Sequence, residues 1–221
     1  MSIKQASVEY KAKAQGMLGE KFSVIIDDMD RVRTSGALDH ALNVGQSAPD
    51  FTLPDAFGND VSLKTLLAKG PVAISFYRGE WCPFCNIELR GLQGSLPKMR
   101  ELAATLIAIS PEKPDFGIVA TEKNKLTFPV LSDLGNKVAR QFGIVFQVGQ
   151  ELRDFSKNVF KNDLALRNGD DSYELPVPAT FVIDTTGIVR FAHVDVDYML
   201  GRAEPEAVVA ALETIAHPVA H

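Results

Sequence analysis

Cys82 and Cys85 are the only cysteines in the 221 residues, and only Pro83 and Phe84 separate them. Two thiols at that spacing can close on each other, so the first chemistry the chain offers is a reversible dithiol–disulfide couple. Their setting sharpens the reading. Pro71-Val72-Ala73-Ile74-Ser75-Phe76-Tyr77 is a short apolar, β-rich run opening after Gly70, and the residues from Pro83 onward read as helix, so both cysteines fall where strand becomes helix. Unpaired N–H groups and the helix dipole favour negative charge at a helix start, which is expected to stabilise the thiolate of Cys82, just outside the helix. Pro83 suits the first helical turn. An ordinary thiol with a pKa of about 8.5 is only a few per cent ionised at pH 7; lowered to about 6 it is roughly nine-tenths ionised, a gain of about 30-fold in nucleophile.

Two blander uses of the pair stay open. As half of a zinc site it needs further ligands from His40, His193, His217 and His221, of which only His217 and His221 stand at a zinc-like spacing. As incidental buried thiols the two would have no role. A bridge closing so short a loop constrains little of the unfolded chain, which makes it a better redox group than staple. Around the pair, Arg78 is placed to hold down a thiolate pKa and Glu80 and Glu88 to relay protons, each with a surface or structural ion pair as the alternative. Tyr77, Pro83 and Phe84 frame the site, and Trp81, the only tryptophan, is expected to pack beside Cys82 and report its redox state. His193 falls on a separate strand.

The elements that position this centre follow an α/β order. From Ser7 to about Arg33, Leu18, Phe22, Ile25, Met29 and Val32 recur at steps of four and three, predicting one helix with a narrow seam that packs on its own domain or on a second copy. Residues 1–43 form this N-terminal extension and 44–221 the main domain. Short strands are expected on either side of Gly58, a brief helix over 64–69, and after the dithiol a helix through Leu89, Leu92, Leu96 and Met99, kinked or interrupted near Gly91, Gly94 and Pro97. Ala104–Ser110 reads as a strand covered on both faces. Helix 115–125, strand 128–131, helix 135–142 and strand 144–148 follow, then a polar insertion over 149–176, read as a solvated loop or a binding surface. Strands 177–184 and 188–194 meet at Gly187, and Glu204-Pro205 opens a last helix, with His217 and His221 in a frayed tail.

Composition excludes other classes. With 46% hydrophobic and 23% charged residues, a net charge of −5 and no basic cluster, the chain is not a nucleic-acid or anionic-membrane binder. No apolar run approaches the ~20 residues of a membrane span, and the first residues lack a secretory pattern, so a cytoplasmic address is expected.

Trp81-Cys82-Pro83-Phe84-Cys85 resembles the active site of thioredoxin-like oxidoreductases, and Pro83-Phe84-Cys85-Asn86-Ile87-Glu88-Leu89 resembles the segment around the peroxidatic cysteine of peroxiredoxins, the alkyl hydroperoxide reductase and thiol-specific antioxidant family. The stretch from Ala48 to Leu63 is similar to that family's opening. The resemblance implies a thioredoxin-like fold, a central mixed sheet flanked by helices, and no cofactor. It implies hydroperoxide or disulfide as substrate, a thioredoxin-like or low-molecular-weight thiol as reductant, and a homodimer through the N-terminal helix as a further possibility. In this frame Cys85 is peroxidatic and Cys82, standing at the family's threonine, resolves its sulfenic acid; in a disulfide reductase Cys82 attacks and Cys85 resolves. Val177-Pro178 resembles the cis-proline segment facing a thioredoxin dithiol, with the backbone of Val177 free to pair with substrate. Arg78 replaces the family motif's proline and Pro178 its distal arginine, so peroxide chemistry slower than the family's is expected. A non-catalytic redox sensor is the reading from another class.

Overall fold

The computed structural model describes residues 2–217, so His221 lies outside the described residues. In chain order the elements are α1 (Ile3–Leu18), a 3-10 turn (Gly19–Phe22), α2 (Ser23–Thr34), β1 (Thr52–Pro54), β2 (Asp60–Ser62), α3 (Leu63–Leu67), β3 (Val72–Phe76), α4 (Pro83–Glu101), β4 (Thr105–Ser110) and α5 (Pro114–Asn124). There follow β5 (Val130–Ser132), α6 (Lys137–Gln141), β6 (Val145–Gln147), α7 (Gln150–Asn158), α8 (Leu164–Asn168), β7 (Glu174–Pro176), β8 (Ala179–Ile183), β9 (Val189–Val194) and α9 (Pro205–Ala216). A five-stranded sheet runs in the order β5-β4-β3-β8-β9. β3 pairs parallel to β4 and antiparallel to β8, and the pairs β1-β2 and β6-β7 form separate antiparallel ribbons.

Every residue of β3 is buried, as an unbroken apolar strand requires when both faces are covered. Its side chains alternate between the faces. Val72, Ile74 and Phe76 enter a cluster with Phe142 and Phe181, whereas Ala73 and the following Tyr77 enter a second cluster with Cys82, Cys85 and the buried faces of α2, α4 and α9. α4 runs unbroken through Pro97, against the expected interruption: Leu89, Leu92, Leu96 and Met99 stay buried, and that packing offsets the roughly 3 kcal/mol an interior proline costs. Gly91 explains itself differently. A Cβ there would lie 2.7 Å from Ile3 Cγ1, so this glycine lets α1 press on α4.

The N-terminal seam folds as two helices with the 3-10 turn between them, not one. Phe22, Ile25, Met29 and Val32 are buried in the cysteine-bearing cluster of their own chain. Asp28, off the apolar stripe, is buried and accepts from the Gly149 amide at 2.9 Å and from Arg31, tying α2 to the start of α7. The start of α1 is held by Glu204, whose carboxylate accepts from the amides of Ile3 at 3.0 Å and Lys4 at 2.8 Å. Among the described residues no helix is long and apolar enough to cross a membrane.

Candidate active site

Cys82 is the N-cap of α4, with extended backbone (φ −82°, ψ 111°), and Pro83 occupies the first helical turn. The sulfur takes the cap role: the Cys85 amide donates to Cys82 Sγ at 3.4 Å. Gly79 makes the bend before it possible, since a Cβ there would sit 2.3 Å from Trp81 Nε1. Arg78 folds back so that its Nη2 donates to Cys82 Sγ at 3.4 Å, while its guanidinium carbon lies 3.4 Å from the Tyr198 ring centre and 4.9 Å from that of Trp81. Asn86 fixes the turn from below, donating to the carbonyls of Glu80 at 2.7 Å and Cys82 at 3.0 Å.

A second guanidinium attends Cys85. Arg202, from the segment before α9, donates from Nη2 to Cys85 Sγ at 3.4 Å, from Nε to the Tyr198 carbonyl at 2.8 Å, and pairs through Nη1 with Glu88. Thr180 Oγ1 donates to the other Glu88 oxygen at 3.3 Å. The expectation of an absent distal arginine, drawn from Pro178, is therefore corrected: the cation comes from 117 residues beyond Cys85. Its one signal in the sequence is a lone arginine in the otherwise apolar run Tyr198-Met199-Leu200-Gly201-Arg202-Ala203.

These contacts decide the charge of the pair. Burial alone would push the Cys82 thiol up, but the bond from Cys85 and the Arg78 and Arg202 guanidiniums outweigh it and hold Cys82 well below the usual thiol range. Burial and the neighbouring Cys82 sulfur push Cys85 well above that range. Of the two, Cys82 is the more acidic and Cys85 the one that holds its proton more tightly. Both sulfurs are 0% exposed, although Cys82 stands outside the helix. They share one buried cluster with Tyr198 and with Ile25, Met29 and Val32 of α2, and Tyr10 of α1 meets Phe84 edge to face at 5.3 Å.

The remaining expected residues divide. Tyr77 is fully buried, its amide bonded to the Ile109 carbonyl at 2.9 Å, so it anchors the strand end. Glu80 accepts from Lys123 and from Arg167 of α8, the latter at 3.3 Å, and its amide donates to Glu112 at 2.6 Å. Arg167 also bonds Glu112 at 3.0 Å, so the insertion, left open between a solvated loop and a binding surface, reaches into the site, and Glu112 and Arg167 are supporting residues the sequence reading missed. Burial lifts the Glu112 carboxyl to about 7, against the pull of the Glu80 amide and Arg167. The cis-proline reading is corrected: among the described residues no peptide bond is cis. The Val177 amide is engaged by the Ile144 carbonyl at 2.7 Å, and Met29, Val32 and Tyr198 line one small cavity with Pro178. His193, on β9, stays apart from the dithiol, and among the described residues no group of three or more His, Cys, Asp or Glu side chains is placed to hold a metal ion.

Residues 44–192 match the model of the AhpC/TSA family. Peroxiredoxin Q, chloroplastic, of Sedum lineare is 34% identical over 149 residues, covering 67% of each chain. Peroxiredoxin Q, chloroplastic, of Populus jackii is 33% identical, and the match spans about half of each, 47% of this chain and 48% of the relative. Among solved structures, peroxidoxin BcpB from Mycobacterium tuberculosis superposes with a TM-score of 0.63 at 26% identity, over 79% of this chain and 98% of that one.

Proposed function

The chain belongs to the AhpC/TSA family, and from that premise we propose that it is a thiol-dependent peroxidase cycling Cys82 and Cys85 between dithiol and disulfide. The observation that carries this is the pair of guanidiniums, Arg78 and Arg202, each 3.4 Å from one sulfur of a buried dithiol. In the first step the Cys82 thiolate attacks one oxygen of the hydroperoxide; an S–O bond forms, the O–O bond breaks, and the other oxygen leaves as an alkoxide. Arg78 faces the charge that develops, and Cys85, which keeps its proton, is the nearest acid for the leaving oxygen. Cys85, now the thiolate, then attacks the sulfenic sulfur; the sulfur–sulfur bond forms, the S–O bond breaks, and the hydroxide leaves as water with a proton taken from solvent. Because neither sulfur is exposed, substrate reaches them only when Trp81 or the covering helices move. A thioredoxin-like or low-molecular-weight thiol returns the bridge to the dithiol, in a reducing compartment such as the cytoplasm.

A second reading has its own support. Arg202 and Glu88 sit on Cys85, which suits Cys85 as the attacking sulfur and Cys82 as the resolving one. Stopped-flow mixing of reduced protein with an organic hydroperoxide, hydrogen peroxide and a model disulfide separates the readings. With Cys82 attacking, Cys85→Ser still forms a sulfenic acid and Cys82→Ser does not; the opposite pattern assigns attack to Cys85. Reaction with the disulfide alone would overturn the peroxidase.

A further inference from the structure

Every polar atom of Glu80 is engaged, and its partners come from four parts of the fold. Its amide donates to Glu112, just past β4, at 2.6 Å, and its carbonyl accepts from Asn86 of α4 at 2.7 Å and from Lys123 of α5 at 3.4 Å. One carboxylate oxygen takes the Lys123 ammonium and the other takes the Arg167 guanidinium of α8, at 3.3 Å. The residue is 8% exposed, so these bonds are made largely out of water, where leaving one unmade is costly. Its partners are held in turn. Asn86 accepts from Asn124 at 2.7 Å and Asn124 from Arg90 at 2.8 Å, while Arg167 also bonds Glu112 at 3.0 Å and rests on the Phe116 ring at 4.5 Å. The turn between Arg78 and Cys82 is thereby fixed at its middle residue.

What that turn carries is Arg78. The Cys82 amide closes it on the Gly79 carbonyl at 3.1 Å, and a Cβ on Gly79 would lie 2.3 Å from Trp81 Nε1 and 2.9 Å from the Glu112 carboxyl carbon, so the backbone lies tight against both. The Arg78 side chain has little of its own to steer by. Its Nε has no hydrogen-bond partner, and its guanidinium lies over the Tyr198 and Trp81 rings, contacts without a fixed hydrogen-bond direction. Where Nη2 meets the Cys82 sulfur is therefore set by the backbone it springs from, and a displacement of about 1 Å is enough to lose the contact.

Resting on the peroxidase reading, we propose that Glu80 is a positioning residue for that reaction: through it α5 and the insertion helix α8 hold the turn that aims Arg78 at the Cys82 sulfur. This role is opposite in sign to the residue's charge. Acting directly, a carboxylate two residues from Cys82 would oppose the thiolate, so its removal would make the thiol more acidic; acting through Arg78, its removal makes the thiol less acidic.

The pH profile of iodoacetamide alkylation at Cys82, located by tandem mass spectrometry, reads that sign in the full-length protein. It is measured for wild type, Glu80→Ala, Arg78→Met and the double variant, beside the urea midpoint and the rate of hydroperoxide consumption. Arg202, Cys85 and Tyr198, the other ionisable groups at the Cys82 sulfur, are unchanged in every variant. Glu80→Ala is expected to move the Cys82 midpoint up by about one pH unit and to slow hydroperoxide consumption by about tenfold. In the Arg78→Met background it should add little to either change. Glu80→Gln, which keeps the length and one acceptor oxygen, should shift the midpoint by an intermediate amount, and it carries the test if Glu80→Ala loses its cooperative urea transition. A midpoint that falls or stays in place in a folded variant, or losses that multiply with those of Arg78→Met, overturns the positioning role and leaves Glu80 a stabilising ion partner. A wild type that consumes no hydroperoxide overturns the peroxidase reading alone, because alkylation reads the aim of Arg78 without peroxide.

Discussion

The two faces of one strand are built on opposite principles. On one face of β3, Phe76, Phe142 and Phe181 stack at centroid distances of 4.9 to 6.1 Å with no ionisable group among them. On the other, Ala73 and Tyr77 look toward two thiols, two arginines and a glutamate, all buried. The first face stabilises by removing apolar surface from water. The second spends stability, because buried charge is tolerated only when each member is paired, and in exchange it makes one sulfur more acidic than the other. Two side chains in alternation are enough to keep these environments apart.

The largest effect expected is a clean division of labour between the faces. Cys82→Ser should lower peroxide consumption by about 10³ or more with little change in urea midpoint, whereas Phe142→Ala should cost about 3–5 kcal/mol of stability and leave the thiol titration in place. Next, Arg202→Met strands Glu88 and should destabilise by about 3–5 kcal/mol in urea; Arg202→Met with Glu88→Leu should recover most of that loss without restoring the peroxide reaction. Recovery of both would make the pair structural only. Arg78→Met removes one donor from Cys82, so its alkylation profile should move to higher pH and the peroxide rate should fall by about 10². The smallest effect concerns Glu112. Its carboxyl titrates at about 7 instead of the ordinary 4.5, so between those values the folded chain keeps a proton that the unfolded chain has lost. Stability therefore falls as pH rises through that window, by up to about 1.4 kcal/mol per pH unit, and Glu112→Gln should flatten the slope.

What could be read beforehand was what is local. The run from Val72 to Phe76, the proline after Cys82 and the stripe Phe22-Ile25-Met29-Val32 each carry their signal within a few residues, and strand, N-cap and buried helix face follow from them. Glu112 and Arg167 carry none, and Arg202 carries only its place in an apolar run: each acts across a gap in sequence that the fold closes. The stripe on α2 announced a buried face without naming the cysteine-bearing cluster it joins. Val177-Pro178 misled because the Val177 amide is already taken by the Ile144 carbonyl, a partner 33 residues away.

The grip of Glu204 on the first turn of α1 joins positions 201 residues apart. During synthesis the N-terminal helix is made well before the carboxylate that seats it, and at about 5–20 residues per second the stretch between Cys85 and Glu204 leaves the new dithiol uncovered for roughly 6–24 s. Throughout that interval the most reactive sulfur in the chain is unprotected by its own fold, and its survival as a thiol depends on the redox poise of the compartment where the ribosome works.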